Sequence, residues 1–75
     1  MIIKSDINLK EFQFWGGARH NAQLLTNEEL RKVENIIDDL YPEGIDETQL
    51  NDIFWFDFDM VCDWLGYTED EVRAR

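Results

Sequence analysis

Between Thr26 and Gly44 the chain spells out one helix from its start to its stop, and this stretch limits the fold more than any other. Thr26-Asn27-Glu28-Glu29 is a capping box. The Thr26 hydroxyl is placed to accept from the Glu29 backbone N–H, and the Glu29 carboxylate to reach back to the Thr26 amide. Leu30, Val33, Ile36, Ile37 and Leu40 follow at helical spacing, opposite a polar face of Glu28, Arg31, Glu34, Asn35 and Asp38. Tyr41-Pro42-Glu43-Gly44 then ends the helix, because proline removes a backbone donor and glycine tolerates the conformation that closes a helix.

Similar punctuation recurs downstream. In Asp46-Glu47-Thr48-Gln49, Asp46 is placed to accept from the Gln49 amide, and Leu50, Ile53 and Phe54 supply the stripe of a short third helix. The run Ile53-Phe54-Trp55-Phe56 is too apolar for a solvated turn. Asp57 then predicts the N-cap of a fourth helix bearing Phe58, Val61, Trp64 and Leu65, ended by Gly66. Thr68-Glu69-Asp70-Glu71 repeats the capping box ahead of a last turn around Val72.

Upstream, Phe12, Trp15, Ala18, Ala22 and Leu25 recur every three or four residues and predict a helix from about Leu9 to Leu25. The Gly16-Gly17 pair interrupts it, each glycine costing about 1 kcal/mol in a helix interior. The helix is therefore either bent at the pair or begins after it. Residues 1–9, with the β-branched Ile2, Ile3 and Ile7, form a short strand or an extended arm. The expected architecture is mainly α: one domain over residues 1–75, a small bundle of four to five short helices.

At 75 residues and 9.0 kDa there is room for one core only. Three Trp and five Phe suit it, since large rings compensate for the small buried fraction of so short a chain. The single cysteine, Cys62, excludes an internal disulfide, and with the lone His20 it falls short of the four ligands of a structural zinc site. No cofactor is implied. The opening Met1–Asp6 reads as neither a signal peptide nor a span, and no run of apolar residues is long enough to cross a membrane, so the expected location is the cytoplasm.

Charge is the unusual property: 17 acidic against 7 basic residues, a net of −10. It is unevenly spread. Residues 1–25 are nearly balanced, with Lys4, Lys10 and Arg19 against Asp6 and Glu11. Between Lys32 and Arg73 there is no Lys or Arg, while Glu34, Asp38, Asp39, Glu43, Asp46, Glu47, Asp52, Asp57, Asp59, Asp63, Glu69, Asp70 and Glu71 all carry negative charge. Ion pairs one helical turn apart would have been an easy gain here. Their absence points to a surface that repels nucleic acid and anionic membranes and attracts a basic protein partner. The plainer account is an acidic face that serves solubility alone.

The remaining residue patterns favour binding over catalysis. Asp57, Asp59 and Asp63 resemble the opening of a calcium loop, but the glycine at its sixth position and the glutamate at its twelfth are missing. Asp57 reads better as a helix cap with the other two solvated. Arg19-His20 has no second histidine, nucleophile constellation or phosphate loop beside it. Cys62, among acids on an aromatic helix, reads as a small core residue and not as a reactive thiol. Of the aromatic group Phe54, Trp55, Phe56, Phe58 and Trp64, most belong to a core. Four consecutive apolar residues cannot all face inward from one helix, so Trp55 or Phe56 is expected to stay partly exposed, flanked by Asp52 and Asp57.

Phe14-Trp15-Gly16-Gly17-Ala18, Leu40-Tyr41-Pro42-Glu43-Gly44, Asn51-Asp52-Ile53-Phe54-Trp55-Phe56 and Trp64-Leu65-Gly66-Tyr67 together resemble a group of small acidic proteins encoded by phages and conjugative elements of bacteria. The resemblance runs from about Leu9 to Tyr67. It implies a genomic context and carries over no functional residues. In size and charge the chain is also similar to phage inhibitors of host defence, among them anti-CRISPR and anti-restriction proteins that imitate DNA.

The expected function is inhibition of a host nucleic-acid-binding enzyme through an acidic surface. The expected contacts are Asp38, Asp39, Asp46, Glu47, Asp52, Asp57, Asp59 and Asp63, with Trp55 or Phe56 as anchor. The alternative is a non-catalytic interaction module or homodimer built on the aromatic 53–58 segment.

Overall fold

The helices lie where the start and stop signals put them, with one exception upstream. The computed structural model describes the backbone of Ile2–Ile3 and residues 8–75. Along it run β1 (Ile2–Ile3), α1 (Gly17–Ala22), α2 (Asn27–Leu40), β2 (Ile45–Asp46), α3 (Glu47–Phe56), α4 (Phe58–Trp64) and α5 (Glu69–Arg73). The protein is mainly α. The two strands pair antiparallel, Ile2 opposite Asp46 and Ile3 opposite Ile45, so a strand does form at the N-terminal end. The rest of the expected strand or arm, at residues 1 and 4–7, lies outside the described residues.

The capping box of α2 has both of its hydrogen bonds, Glu29 N–H to Thr26 Oγ1 at 3.1 Å and Thr26 N–H to Glu29 Oε1 at 2.9 Å. Leu30, Val33 and Ile37 face the core as their spacing predicts. Ile36 is half-buried, and Leu40, one turn past Ile37, is 55% exposed at the end of the helix. Asp46 caps α3 through the Thr48 amide at 2.7 Å, one residue short of the expected Gln49 partner. Gly66, at φ 83°, closes α4 in a two-bond turn: its N–H donates to Asp63 O and that of Tyr67 to Cys62 O, both at 3.0 Å.

Asp57 does stand at the head of α4, but its side chain makes no capping bond. Only this residue separates α3 from α4, and its own N–H still closes α3 on Ile53 O at 3.2 Å. The run 53–56 is thus the last turn of α3. The upstream helix is shorter than its apolar spacing suggests. Of the two courses open at the glycine pair, the chain takes the second to within one residue: the helix is not bent but begins at Gly17 and ends at Ala22, while Asn8–Glu11 forms a turn and Gln23–Leu25 another. Gly16, at φ 61° and ψ −142°, turns the chain into α1 in a conformation open only to glycine.

Phe54, Phe58, Leu50, Val33, Ile37, Val61, Val72 and Cys62 form the centre of one core, closed at its edge by Leu9 and Ile45. Phe14 extends it, its ring 4.6 Å from that of Phe54 and 4.7 Å from that of Phe12.

The two C-terminal arginines fasten α5 across this core. Arg75 grips both carboxylate oxygens of Glu29 at 2.6 Å, donates to Leu24 O at 3.0 Å and lies 5.1 Å over the Tyr67 ring. Arg73 binds Glu69 at 2.6 Å and Asn21 Oδ1 at 3.1 Å, and lies 5.3 Å over the Phe58 ring.

Glu29 therefore both caps α2 and receives Arg75. That guanidinium is the main reason its carboxyl is held down from 4.5 to about 2, burial acting in the opposite direction. Since the folded value lies below the unfolded one, the stabilisation is complete above pH 4.5 and fades as pH falls from there towards 2. Urea denaturation should find Glu29→Gln less stable than the parent by about 1–3 kcal/mol near neutrality, the half-open Arg75 side lessening the full linkage value. The gap should close as pH approaches 2, whereas an unchanging gap would mean that the clamp is not electrostatic.

Candidate protein-binding surface

The acids singled out in the sequence do not form one patch. Asp46, Asp52 and Asp57 converge on an open cleft of about 520 Å³ between β2, α3 and the start of α4, together with Tyr41, Ile53 and Met60. Carboxylates thus rim a partly apolar cleft. Asp59 and Asp63 stand exposed one turn apart on α4, opposite the buried Phe58, Val61 and Cys62. Asp38, half-buried, and Asp39, exposed, occupy the last turn of α2, and Glu47 is half-buried at the start of α3. Tyr41 was not foreseen as a site residue, and Ile53 and Met60 lie in or just beyond the 53–58 segment of the alternative reading without being named for it. Met60 carried a signal, an apolar residue between the outward Asp59 and the inward Val61.

Among the described residues none of these eight acids has an ion-pair partner. One of the thirteen does: Glu69 is paired with Arg73, because the last turn of α5 returns the cation to the first. Glu34 accepts the Leu9 N–H at 2.6 Å, so it too serves the fold. Three of the remaining acids work against their own helices, whereas Asp46, Glu47 and Asp59 stand at favourable N-terminal ends. Asp38 and Asp39 lie at the negative end of α2 and Asp63 at that of α4, where neither helix has a basic residue in its last turn.

The aromatic residues are held more firmly than the acids. Trp55 and Phe56 are both exposed, at 40% and 68%, where the sequence asked for one of the two. Their rings stack with centroids 5.0 Å apart and planes 7° from parallel. The indole of Trp55 lies against Gly16 and Gly17. A Cβ on Gly16 would stand 2.7 Å from the six-membered ring, and one on Gly17 2.5 Å from Nε1. The glycine pair is a seat for the ring. Phe54 and Phe58 are core residues, and Trp64 packs half-buried against the core cluster.

Two buried amides hold the seat and the ring in register. Asn51 Oδ1 accepts the Trp15 N–H at 3.0 Å and its Nδ2 donates to Trp15 O at 3.4 Å, while Asn21 Nδ2 donates to Phe54 O at 2.8 Å. Neither asparagine stands out in the sequence, where both read as polar helix residues.

Little else suggests chemistry. Cys62 is buried, and burial, with a smaller contribution from Glu69, pushes its thiol up and away from the reactive thiolate. Arg19 and His20 are exposed on α1. Among the described residues no three His, Cys, Asp or Glu side chains gather as metal ligands, and no helix is long and apolar enough to cross a membrane. Comparison with protein-family models, curated proteins and solved structures finds no match.

Two stability measurements probe this surface. Asp38→Asn with Asp39→Asn should raise the melting temperature by a few degrees at low salt, each removed charge being worth about 0.3–1 kcal/mol at a helix C-terminus, and salt should erase the gain. Gly16→Ala should lower stability by about 1–3 kcal/mol and shift tryptophan emission to longer wavelength as the indole leaves its seat. Unchanged emission would mean that Trp55 does not depend on the glycine.

Proposed function

We propose that this chain is a phage or mobile-element protein that inhibits a host nucleic-acid-binding defence enzyme, of the CRISPR-effector or restriction-nuclease kind. It does so by presenting its acidic face to the enzyme's basic groove, in the host cytoplasm, without catalysis and without a cofactor. The observation that supports the reading is the lack of counterions. Eight carboxylates from α2 to α4 stand without ion-pair partners among the described residues, while Arg73 and Arg75 are turned onto Glu69 and Glu29. Acids kept at the wrong ends of helices cost stability, which fits a surface shaped for a partner better than one shaped for folding.

A basic groove would meet such a face quickly and release it readily as salt rises, because exposed charges are screened over about 8 Å at physiological ionic strength. Tyr41 and Met60, which line the cleft, add apolar contact that screening does not remove.

A second reading rests on the Trp55–Phe56 stack: an interaction module or homodimer whose interface is chiefly apolar. Capture from bacterial lysate at low and high salt, with a quadruple variant (Asp52→Asn, Asp57→Asn, Asp59→Asn, Asp63→Asn), separates the two. None of these four acids makes a capping hydrogen bond, so the variant should fold at least as stably as the parent. Under the first reading a nucleic-acid enzyme is recovered at low salt, is displaced by DNA or RNA, and is lost both at high salt and with the variant. Retention at both salts together with loss on Trp55→Ala would replace it with the second.

A further inference from the structure

We propose that the Trp55–Phe56 stack is a docking platform for an arginine side chain of the partner, the guanidinium lying on the open face of Phe56. This deepens the acidic-surface reading and rests on it in one respect, that the partner is basic. The platform is built in sequence. The Gly16–Gly17 seat fixes the indole, the indole stacks on Phe56, and Phe56 is left 68% exposed with no further ring contact among the described residues. A ring this exposed at the end of a helix costs hydration free energy unless something covers it.

Charge selects the occupant. Asp52 lies one helical turn before Phe56 on α3 and Asp57 immediately after it, and neither has an ion-pair partner among the described residues. A second copy of the chain would bring the same acids against them, at a net charge of −10 on each molecule, so like-charge repulsion disfavours self-association. A cation is favoured, and among cations the planar guanidinium, which stacks on a ring while its fork of donors reaches a flanking carboxylate. The fold already uses such contacts internally, Arg73 over Phe58 at 5.3 Å and Arg75 over Tyr67 at 5.1 Å.

The test uses two short peptides of equal length and charge, one carrying arginines and the other lysines at the same positions. Binding to the intact protein is measured by calorimetry at low and high salt. The arginine peptide should bind roughly three- to fivefold more tightly, the scale of an exposed cation–π contact. Phe56→Leu should abolish that preference while leaving the weaker, salt-sensitive binding of both peptides, and Phe56→Tyr should keep it. Gly17→Ala, which displaces the indole from beneath the stack, should also reduce it, and thermal melts establish that each variant folds.

Equal affinities for the two peptides, or a preference that survives Phe56→Leu, would overturn the platform and leave the acidic surface standing. Failure of both peptides to bind at low salt would overturn platform and acidic surface together. Sedimentation that shows a dimer lost on Phe56→Leu would overturn the platform by assigning this face to a second copy.

Discussion

The exposed surface depends on one packing relation, that of α3 against the segment from Trp15 to Ala22. Asn51 satisfies both backbone groups of Trp15, and Asn21 returns the connection to the carbonyl of Phe54. Buried amides bonded in this way are costly to misplace, because a slip of either element would strand their donors and acceptors away from water. The relation sets where Gly16 and Gly17 lie, hence where the Trp55 ring rests, and through that ring the position of Phe56. On the same helix Asp52 lines the cleft while Leu50, Ile53 and Phe54 are buried in the core.

Stability and charge are handled in different parts of the molecule. Where a carboxylate is needed to close the fold it is bonded: Glu29 to Thr26 and Arg75, Glu34 to the Leu9 amide, Glu69 to Arg73. Arg73 and Arg75 are both consumed within the molecule, each lying over a ring as well as against a carboxylate. Asp38 and Asp39 at the end of α2, Asp57 at the α3–α4 junction and Asp59 and Asp63 on α4 have no ion-pair partner among the described residues, and Asp38, Asp39 and Asp63 oppose the dipole of the helix that bears them. A domain this small has little stability to spare, so the separation of structural acids from unpaired ones has an energetic consequence.

Much of the fold was legible because it is encoded locally. A threonine three residues before a glutamate, or a glycine after an apolar turn, acts through bonds between near neighbours, and α2, α4 and α5 begin or end at such signals. Helical spacing likewise identified most of the residues that α2, α3 and α4 turn inward. It failed at Leu9–Leu25, where Phe12, Trp15, Ala18, Ala22 and Leu25 mimic a helical stripe although only Gly17–Ala22 is helical. Those residues meet the core from a turn, an extended stretch and a short helix, and a periodicity of positions does not distinguish these from one continuous face.

By itself the sequence determined the class of the fold, the punctuation of its helices, the single core and the excess of negative charge without nearby cations, all of which follow from composition and from interactions within a few residues. Only the tertiary structure decided which acids meet at the cleft with Tyr41 and Met60, which are consumed by arginines, and that Trp55 and Phe56 stand outside the core as a seated stack. It also decided the purpose of Gly16-Gly17, which reads locally as an interrupted helix and in three dimensions as space for an indole from thirty-eight residues further on, counted from Gly17 to Trp55. The physical reason is that a ring's exposure and a charge's partner depend on what distant segments bring beside them, and no local spacing records that.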